Sequence, residues 1–160
     1  MMKIESILRI LEEQGVDYAV IGGVAVVLYG YVRFTKDIDL VIDLSEPNVR
    51  RFARALSQLK FQPGVPIDPM DMAVEEQRQA WMRDKNVKVI TFYNPESPLL
   101  QIDVLITKKF ADLKKTRKQI GDFTVSVVDY DDLLRMKQET GRPTDLIDIE
   151  KLRELKRLSK

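Results

Sequence analysis

The segment DIDLVID, Asp37 to Asp43, constrains this chain more than any other stretch of its length. Its length and its Ile, Leu and Val content suit a β-strand. Side chains two apart in a strand point to the same face, with Cα atoms about 6.5 Å apart. Asp37 and Asp39 therefore stand side by side. Two anions so placed repel, and the pair gains nothing structurally unless a cation lies between them. Two solvated acids on an exposed strand face are the plain alternative, because a bare D-x-D is common.

The surrounding pattern alternates helix and strand. Ile4, Ile7, Leu8 and Leu11 recur at helical spacing in MMKIESILRILEEQ, and Gly15 stops that helix. DYAVI (Asp17 to Ile21) reads as a short buried strand, followed by Gly22-Gly23 and a helical stretch through Leu28. After Asp43, Ser45 is the expected N-cap of a helix with Pro47 just inside its start. Val49, Phe52, Ala53, Leu56 and Leu59 line one face of it. FQPGVPIDPMD carries four turn-formers and reads as irregular, with a helix from about Met72 to Met82 after it. VKVITFY (Val87 to Tyr93) and LLQIDVLI (Leu99 to Ile106) form a hairpin around NPESP. A helix is expected near Phe110 to Thr116, then the strand FTVSVV (Phe123 to Val128). Asp129 caps a helix to about Thr140, GRP breaks it, and Asp145 to Leu158 is the last helix. This order predicts an α+β, or mixed α/β, domain: one mixed sheet with helices packed on it and helices closing the C-terminus. The 160 residues are expected to form one domain, with a core over about 1–128 and a helical segment over about 129–160.

Composition removes several chemistries. The chain has no Cys and no His. Disulfides, thiolate catalysis, Ser-His-Asp and Cys-His catalysis, and thiolate or imidazole metal sites are excluded. What remains is carboxylate, Lys, Arg, Tyr, hydroxyl and oxygen-bound metal chemistry. The apolar run near Tyr18 to Leu28 is too short to span a bilayer, and the acidic amphipathic N-terminus is no signal peptide. The expected setting is soluble and cytoplasmic, with no membrane partner. A net charge of +1 argues against global capture of nucleic acid, although KKFADLKKTRK and KLRELKRLSK are locally basic. Those runs read either as solvated helix faces or as a surface that attracts a polyanion.

Two features add meaning to the D-x-D. Gly22-Gly23 lies between a strand and a helix, where bare backbone N–H groups can hold phosphate; a plain tight turn is the alternative. Asp103 lies between apolar residues of another strand, where a carboxylate is unfavourable unless protonated, paired or metal-bound. The oxygens of these acids suit a hard ion such as Mg²⁺. Asp43 shares strand parity with Asp39 but lies about 13 Å further along at strand rise, too far for the same ion, and reads as structural. An EF-hand reading of DIDLVID fails for want of the loop glycine, and GGVAVVLYG lacks the Rossmann G-x-G-x-x-G.

Together these pieces resemble the nucleotidyltransferases of the DNA polymerase beta superfamily. That pattern has a glycine pair, about a dozen residues, alternating hydrophobic and Asp positions, and a later acid between hydrophobics. Here thirteen residues separate Gly22-Gly23 from Asp37-Ile38-Asp39-Leu40, and Ile102-Asp103-Val104 follows. Lys36 stands where the pattern has a hydrophobic residue. Arg33-Phe34-Thr35-Lys36-Asp37 is similar to the R-x-T-x-D-h-D form of a small bacterial and archaeal branch. LLRMKQETGRPTDLIDIEKL (Leu133 to Leu152) resembles the C-terminal K…GRxxDhxDhxxL of that branch, which includes abortive-infection (AbiEii-like) toxins and minimal nucleotidyltransferases.

The resemblance implies a nucleotidyltransferase fold and an enzyme that moves NMP from an NTP to a hydroxyl. It implies two Mg²⁺ ions, with Mn²⁺ as a substitute, on Asp37, Asp39 and Asp103. Asp103 would ligate the metal nearest the acceptor and take the acceptor's proton. Nucleotide and phosphate contacts would fall to Gly22, Gly23, Arg33, Thr35, Lys36 and Lys137. Asp145 matches a functional aspartate of the toxins, with a helix N-terminal charge effect as the alternative. Arg142 either reaches phosphate or braces the turn. The acceptor stays open among RNA such as tRNA, a small molecule and a protein, with an antitoxin-like partner in the toxin setting. The alternative to turnover is an NTP-binding or partner-binding module of the same fold.

Overall fold

The computed structural model describes residues 3–159. Met1 and Met2 of the N-terminal helix pattern, and Lys160 of the basic tail, lie outside the described residues. Helix α1 (Ile4–Glu13) buries Ile7, Leu8 and Leu11 and gives way to Gly15 at φ +71°. Strand β1 (Tyr18–Ile21) runs directly into helix α2 (Gly22–Leu28), and β2 (Asp37–Ile42) leads to α3 (Glu46–Leu59). Beyond them come β3 (Gln62–Pro63), α4 (Glu75–Lys85) and the hairpin β4 (Val89–Tyr93) and β5 (Gln101–Leu105). A second hairpin, β6 (Lys115–Ile120) and β7 (Phe123–Val128), precedes α5 (Tyr130–Thr140) and α6 (Pro143–Leu158).

The strands make one seven-stranded sheet in the order β3-β4-β5-β2-β1-β7-β6. It is mixed: β2 runs parallel to β5 and β1 parallel to β7, while the other neighbours are antiparallel. The expected mixed α/β architecture, with two helices closing the described chain, is the one observed. Among the described residues no helix is long and apolar enough to cross a membrane.

Strand parity decides what each face of the sheet carries. Ile38 and Leu40 of β2, Ile102 and Val104 of β5, and Ile90 and Phe92 of β4 are all buried in the core. On that side α3 packs, with Phe52 edge-on to Phe92 at 5.8 Å between ring centroids. Six such side chains bury roughly 10 kcal/mol of apolar transfer free energy, so register is strongly set. The intervening residues Asp37, Asp39, Gln101, Asp103 and Thr91 are forced onto the opposite, half-open face.

Four expectations change. The helix near Phe110 to Thr116 is a short 3₁₀ turn at Phe110–Asp112 followed by strand β6. The two-residue turn Gly121-Asp122, with Gly121 at φ +56°, lets Lys115–Ile120 pair along the whole of β7, and this pairing overrides local helical preference. The basic residues there lie on an exposed edge strand, where lysines discourage further pairing. In FQPGVPIDPMD, Gln62 and Pro63 do form a short edge strand against Phe92 and Tyr93. The next helix starts at Glu75, because Pro69–Ala73 is taken up by a 3₁₀ turn that the Asp68 side chain caps. Ala53 is only half-buried on α3, and Ala55 takes its place in the core.

Ser45 sits at the N-cap position of α3 without a side-chain cap bond. Its backbone N–H instead donates to Asp43 Oδ1 at 3.1 Å, the structural use expected of Asp43. Buried Asn48 ties the ends of β1 and β2 together: its Oδ1 accepts from Asp17 N, and its Nδ2 donates to the carbonyls of Asp17 and Asp43.

Candidate active site

The half-open face of β2 and β5 gathers the three sequence-predicted acids. In the parallel pairing Asp39 stands directly opposite Asp103, and Asp37 opposite Gln101. Neighbouring strands lie about 4.8 Å apart, so one sheet face presents Asp37, Asp39 and Asp103 as a triangle with no intervening side chain. On the far side of β5, Thr91 of β4 pairs with Asp103. Its Oγ1 donates to Asp103 Oδ1 at 2.7 Å, and Gln101 Nε2 donates to Oδ2 at 3.2 Å. Thr91 and Gln101 were not foreseen, because register between distant segments is not written in local spacing.

Burial and mutual repulsion raise two of the three acids. Burial, then the charges of Asp103 and Asp37, pushes Asp39 up to about 7 against some relief from Lys137. Burial, then Asp103, also raises Asp37, with Lys36 opposing. Asp37 Oδ1 is buried with no hydrogen-bond partner. A buried carboxylate oxygen without a donor is unfavourable, and a divalent ion satisfies it. As the side chains stand, no group of three such ligands among the described residues converges on one point. Asp39 leans back over Gly22, and Asp103 is held toward Thr91. The donor set nonetheless fits a hard cation: all-oxygen, anionic, and with an unsatisfied oxygen on Asp37.

The glycine pair sits where β1 becomes α2, with Ile21 paired to Asp39. Gly22 holds φ +66°, and a Cβ there would stand 2.9 Å from Asp39 Cγ. A Cβ at Gly23 would stand 2.9 Å from Thr35 Oγ1 and 3.1 Å from Arg33 Nη2. Both glycines thus permit close approach of functional side chains to backbone. Thr35 Oγ1 also reaches the Asp37 carbonyl at 3.4 Å, and Lys36 is exposed beside Asp37.

A second cluster joins the C-terminal helices to this loop. Lys137 of α5 is buried and places Nζ 3.0 Å from Asp145 Oδ1 and 2.9 Å from Asp148 Oδ2. Asp145 also accepts from Thr140 Oγ1 at 2.7 Å, from Arg142 Nε at 2.9 Å and from Arg142 N at 3.1 Å. Burial alone would raise its carboxyl, but the Arg142, Thr140 and Lys137 donors outweigh burial and hold it well below the usual range. Arg142 braces the turn into α6 through these bonds, while most of its side chain stays exposed. Asp148, fully buried, takes a two-pronged bond from Arg33, with Nε and Nη2 each at 2.9 Å. Asp145 lies in the first turn of α6 and accepts the N-cap N–H of Arg142, as a helix-terminal acid does, and both Asp145 and Asp148 are also buried counter-charges. Thr140 is a site neighbour that the C-terminal motif did not mark, whereas Asp148 is that motif's second aspartate.

This fold is that of the nucleotidyltransferases. It superposes on the lincosamide antibiotic adenylyltransferase LnuA in its lincomycin-bound crystal structure with a TM-score of 0.65, at 17% identity over 95% of both chains. The antibiotic-resistance factor ANT(2'')-Ia gives a TM-score of 0.61 at 13% identity, over 95% of this chain and 80% of that one. An antigenic nucleotidyltransferase-like protein from Paracoccidioides brasiliensis gives 0.59 at 19% identity, over 93% of this chain and 72% of that one. The chain thus shares the fold of nucleotidyltransferases. More narrowly, residues 1–51 match the model of a family described as nucleotidyl transferase of unknown function (DUF2204). That match spans α1, β1, the glycine pair and the D-x-D. Among the curated proteins, none matches the chain by sequence.

Proposed function

We propose that this chain moves a nucleotidyl group from an NTP to a hydroxyl acceptor. The observation that carries this reading is the register of Asp39 opposite Asp103, with Asp37 two residues away on the same face and its buried oxygen unpartnered. Asp37, Asp39 and Asp103 would hold divalent cations, Mg²⁺ first among them. When bound, such ions supply charge neutralisation for the triphosphate and for the oxygens that gain charge in transfer.

The protein's own part is to seat, orient and deprotonate. Backbone N–H groups at Gly22-Gly23 seat the outer phosphates. Lys36 adds positive charge at the open rim, and Thr35 offers a hydroxyl beside the seat. The acceptor oxygen attacks the α-phosphorus, a phosphorus–oxygen bond forms, and the bond to the pyrophosphate oxygen breaks. Asp103 accepts the hydroxyl proton on Oδ2, the oxygen free of Thr91, and pyrophosphate leaves with the electron pair.

For the acceptor we favour a small-molecule hydroxyl. The similarity in fold to a lincosamide antibiotic adenylyltransferase, over 95% of both chains, supports this choice. The toxin setting implied by the C-terminal motif makes the competing case for RNA, with an antitoxin-like partner. Labelled NTPs with Mg²⁺, offered to antibiotic hydroxyls and to tRNA in parallel, separate the two. Transfer by wild type and loss of transfer in Asp39→Ala supports the reading. Equal transfer by both proteins overturns it, and NTP binding without transfer to any acceptor indicates a binding module.

A further inference from the structure

We propose that Asp148 is a positioning residue for nucleotide binding, acting through Arg33 to press the Arg33–Thr35 loop onto the Gly23 phosphate seat. The inference rests on the nucleotidyl-transfer reading above.

Three observations carry it. Arg33 is spent inside the protein. Its Nε and Nη2 donate to the two oxygens of Asp148 at 2.9 Å, and its Nη1 donates to the Phe34 carbonyl at 3.2 Å. A guanidinium forked onto a buried carboxylate brings less net charge to an incoming phosphate. What it brings is shape, because a fork held at two points has a fixed plane.

The second observation is where that plane lies. A Cβ on Gly23 would fall 3.1 Å from Arg33 Nη2 and 2.9 Å from Thr35 Oγ1. The loop therefore forms one wall of the glycine turn, and its position sets how far the seat lies from Asp37, whose carbonyl Thr35 also meets.

The third is charge balance. Asp148 is fully buried and shared between Arg33 and Lys137, and Lys137 is shared in turn with Asp145. The inner cations Arg33 and Lys137 balance the two acids, and the third, Arg142 on Asp145, carries its charge on a mostly exposed side chain, so the inner cluster is organised to hold geometry rather than to present charge. A bond between residues 115 apart in the chain thereby fixes α6 to the first third of the sequence. A plain staple between helix and loop needs neither the fork nor its contact with Gly23.

The test uses the full chain and direct calorimetric binding of each Mg-NTP, alongside steady-state transfer, below the lowest melting temperature of the set. The variants are Asp148→Asn, Arg33→Gln and the double. Asp148→Asn is expected to weaken NTP binding and raise KM about tenfold while kcat changes less than about threefold. The double variant is expected to bind no worse than the weaker single, as for two residues acting as one unit. Wild-type affinity in Asp148→Asn, with only its melting temperature lowered, would overturn the proposal. So would losses that multiply in the double, since Arg33 would then meet the nucleotide independently of Asp148. Should Asp148→Asn not fold, Arg33→Lys keeps the charge balance but lacks the fork. An about tenfold loss supports the proposal there, and unchanged affinity overturns it. Failure of wild type to bind any NTP sinks this inference together with the transfer reading. Wild-type binding that the variants do not alter sinks the inference alone.

Discussion

Asp39 leans onto Gly22. A Cβ at Gly22 would run into the Asp39 carboxylate, 2.9 Å from its Cγ, and Gly22 itself holds φ +66°. The glycine therefore answers two demands at once, a left-handed turn between β1 and α2 and room for the Asp39 carboxylate against backbone.

Gly22→Ala should be costly in both respects. A left-handed alanine costs roughly 1–2 kcal/mol before any clash is counted, and the new methyl displaces Asp39. We expect a lower midpoint in chemical denaturation and at least a tenfold loss of transfer. A variant with wild-type transfer would show that Asp39 does not need its place over Gly22.

The raised Asp39 carboxyl predicts how the protein behaves without divalent ions. Its folded pKa, about 7, lies above the unfolded value near 3.8. The folded state then binds more protons between those values, so the contribution of Asp39 to stability is greatest below about pH 4 and falls as pH rises toward 7. In EDTA the melting temperature should decline across that window, and Asp39→Asn should flatten the decline. Mg²⁺ should restore stability at pH 8, where the acids are ionised. A wild-type profile as flat as that of Asp39→Asn would contradict this.

Asp145 shifts in the opposite direction. Its carboxyl is held low by Arg142, Thr140 and Lys137, so its stabilisation is present above about pH 4 and is lost as pH falls through its folded value. Lys137→Met removes a buried cation and leaves Asp145 and Asp148 undercompensated, at a cost of roughly 3–5 kcal/mol. Denaturant titration at pH 7 reads this directly. A loss under about 1 kcal/mol would mean that Lys137 is not the counter-ion of the cluster.

Thr91→Val tests the support of Asp103. The swap keeps shape but deletes the 2.7 Å hydrogen bond to Asp103 Oδ1. A bond to a charged group is worth about 1.5–3 kcal/mol, so Asp103 should lose its orientation. We expect a fall of about tenfold in kcat with a small change in NTP affinity. Unchanged kcat would place Thr91 outside the reaction.

How much of this was legible follows from the range of each signal. The D-x-D pair, the glycine turn and the C-terminal Lys137, Arg142 and Asp145 set were visible because each depends on spacing along a short stretch. The mixed fold was visible because the helix and strand periods of its segments are local too. Strand β6 was misread as part of a helix because KKFADLKKTRK has no alternation of its own. Only its neighbour β7 and the turn at Gly121-Asp122 make it extended. Thr91 was unmarked for a related reason: nothing in VKVITFY says which residue will face Asp103.

By itself the sequence determined which residues share a strand face, where backbone must be bare, and which chemistries are excluded by the absence of Cys and His. Tertiary structure alone decided that Asp103 faces Asp39: burying Ile38, Leu40, Ile102 and Val104 puts both acids on the same face, and the pairing of β2 on β5 sets them opposite each other. It likewise decided that Arg33 turns to Asp148 rather than to solvent. A buried carboxylate on α6 needs a counter-charge, and packing brings that loop within reach.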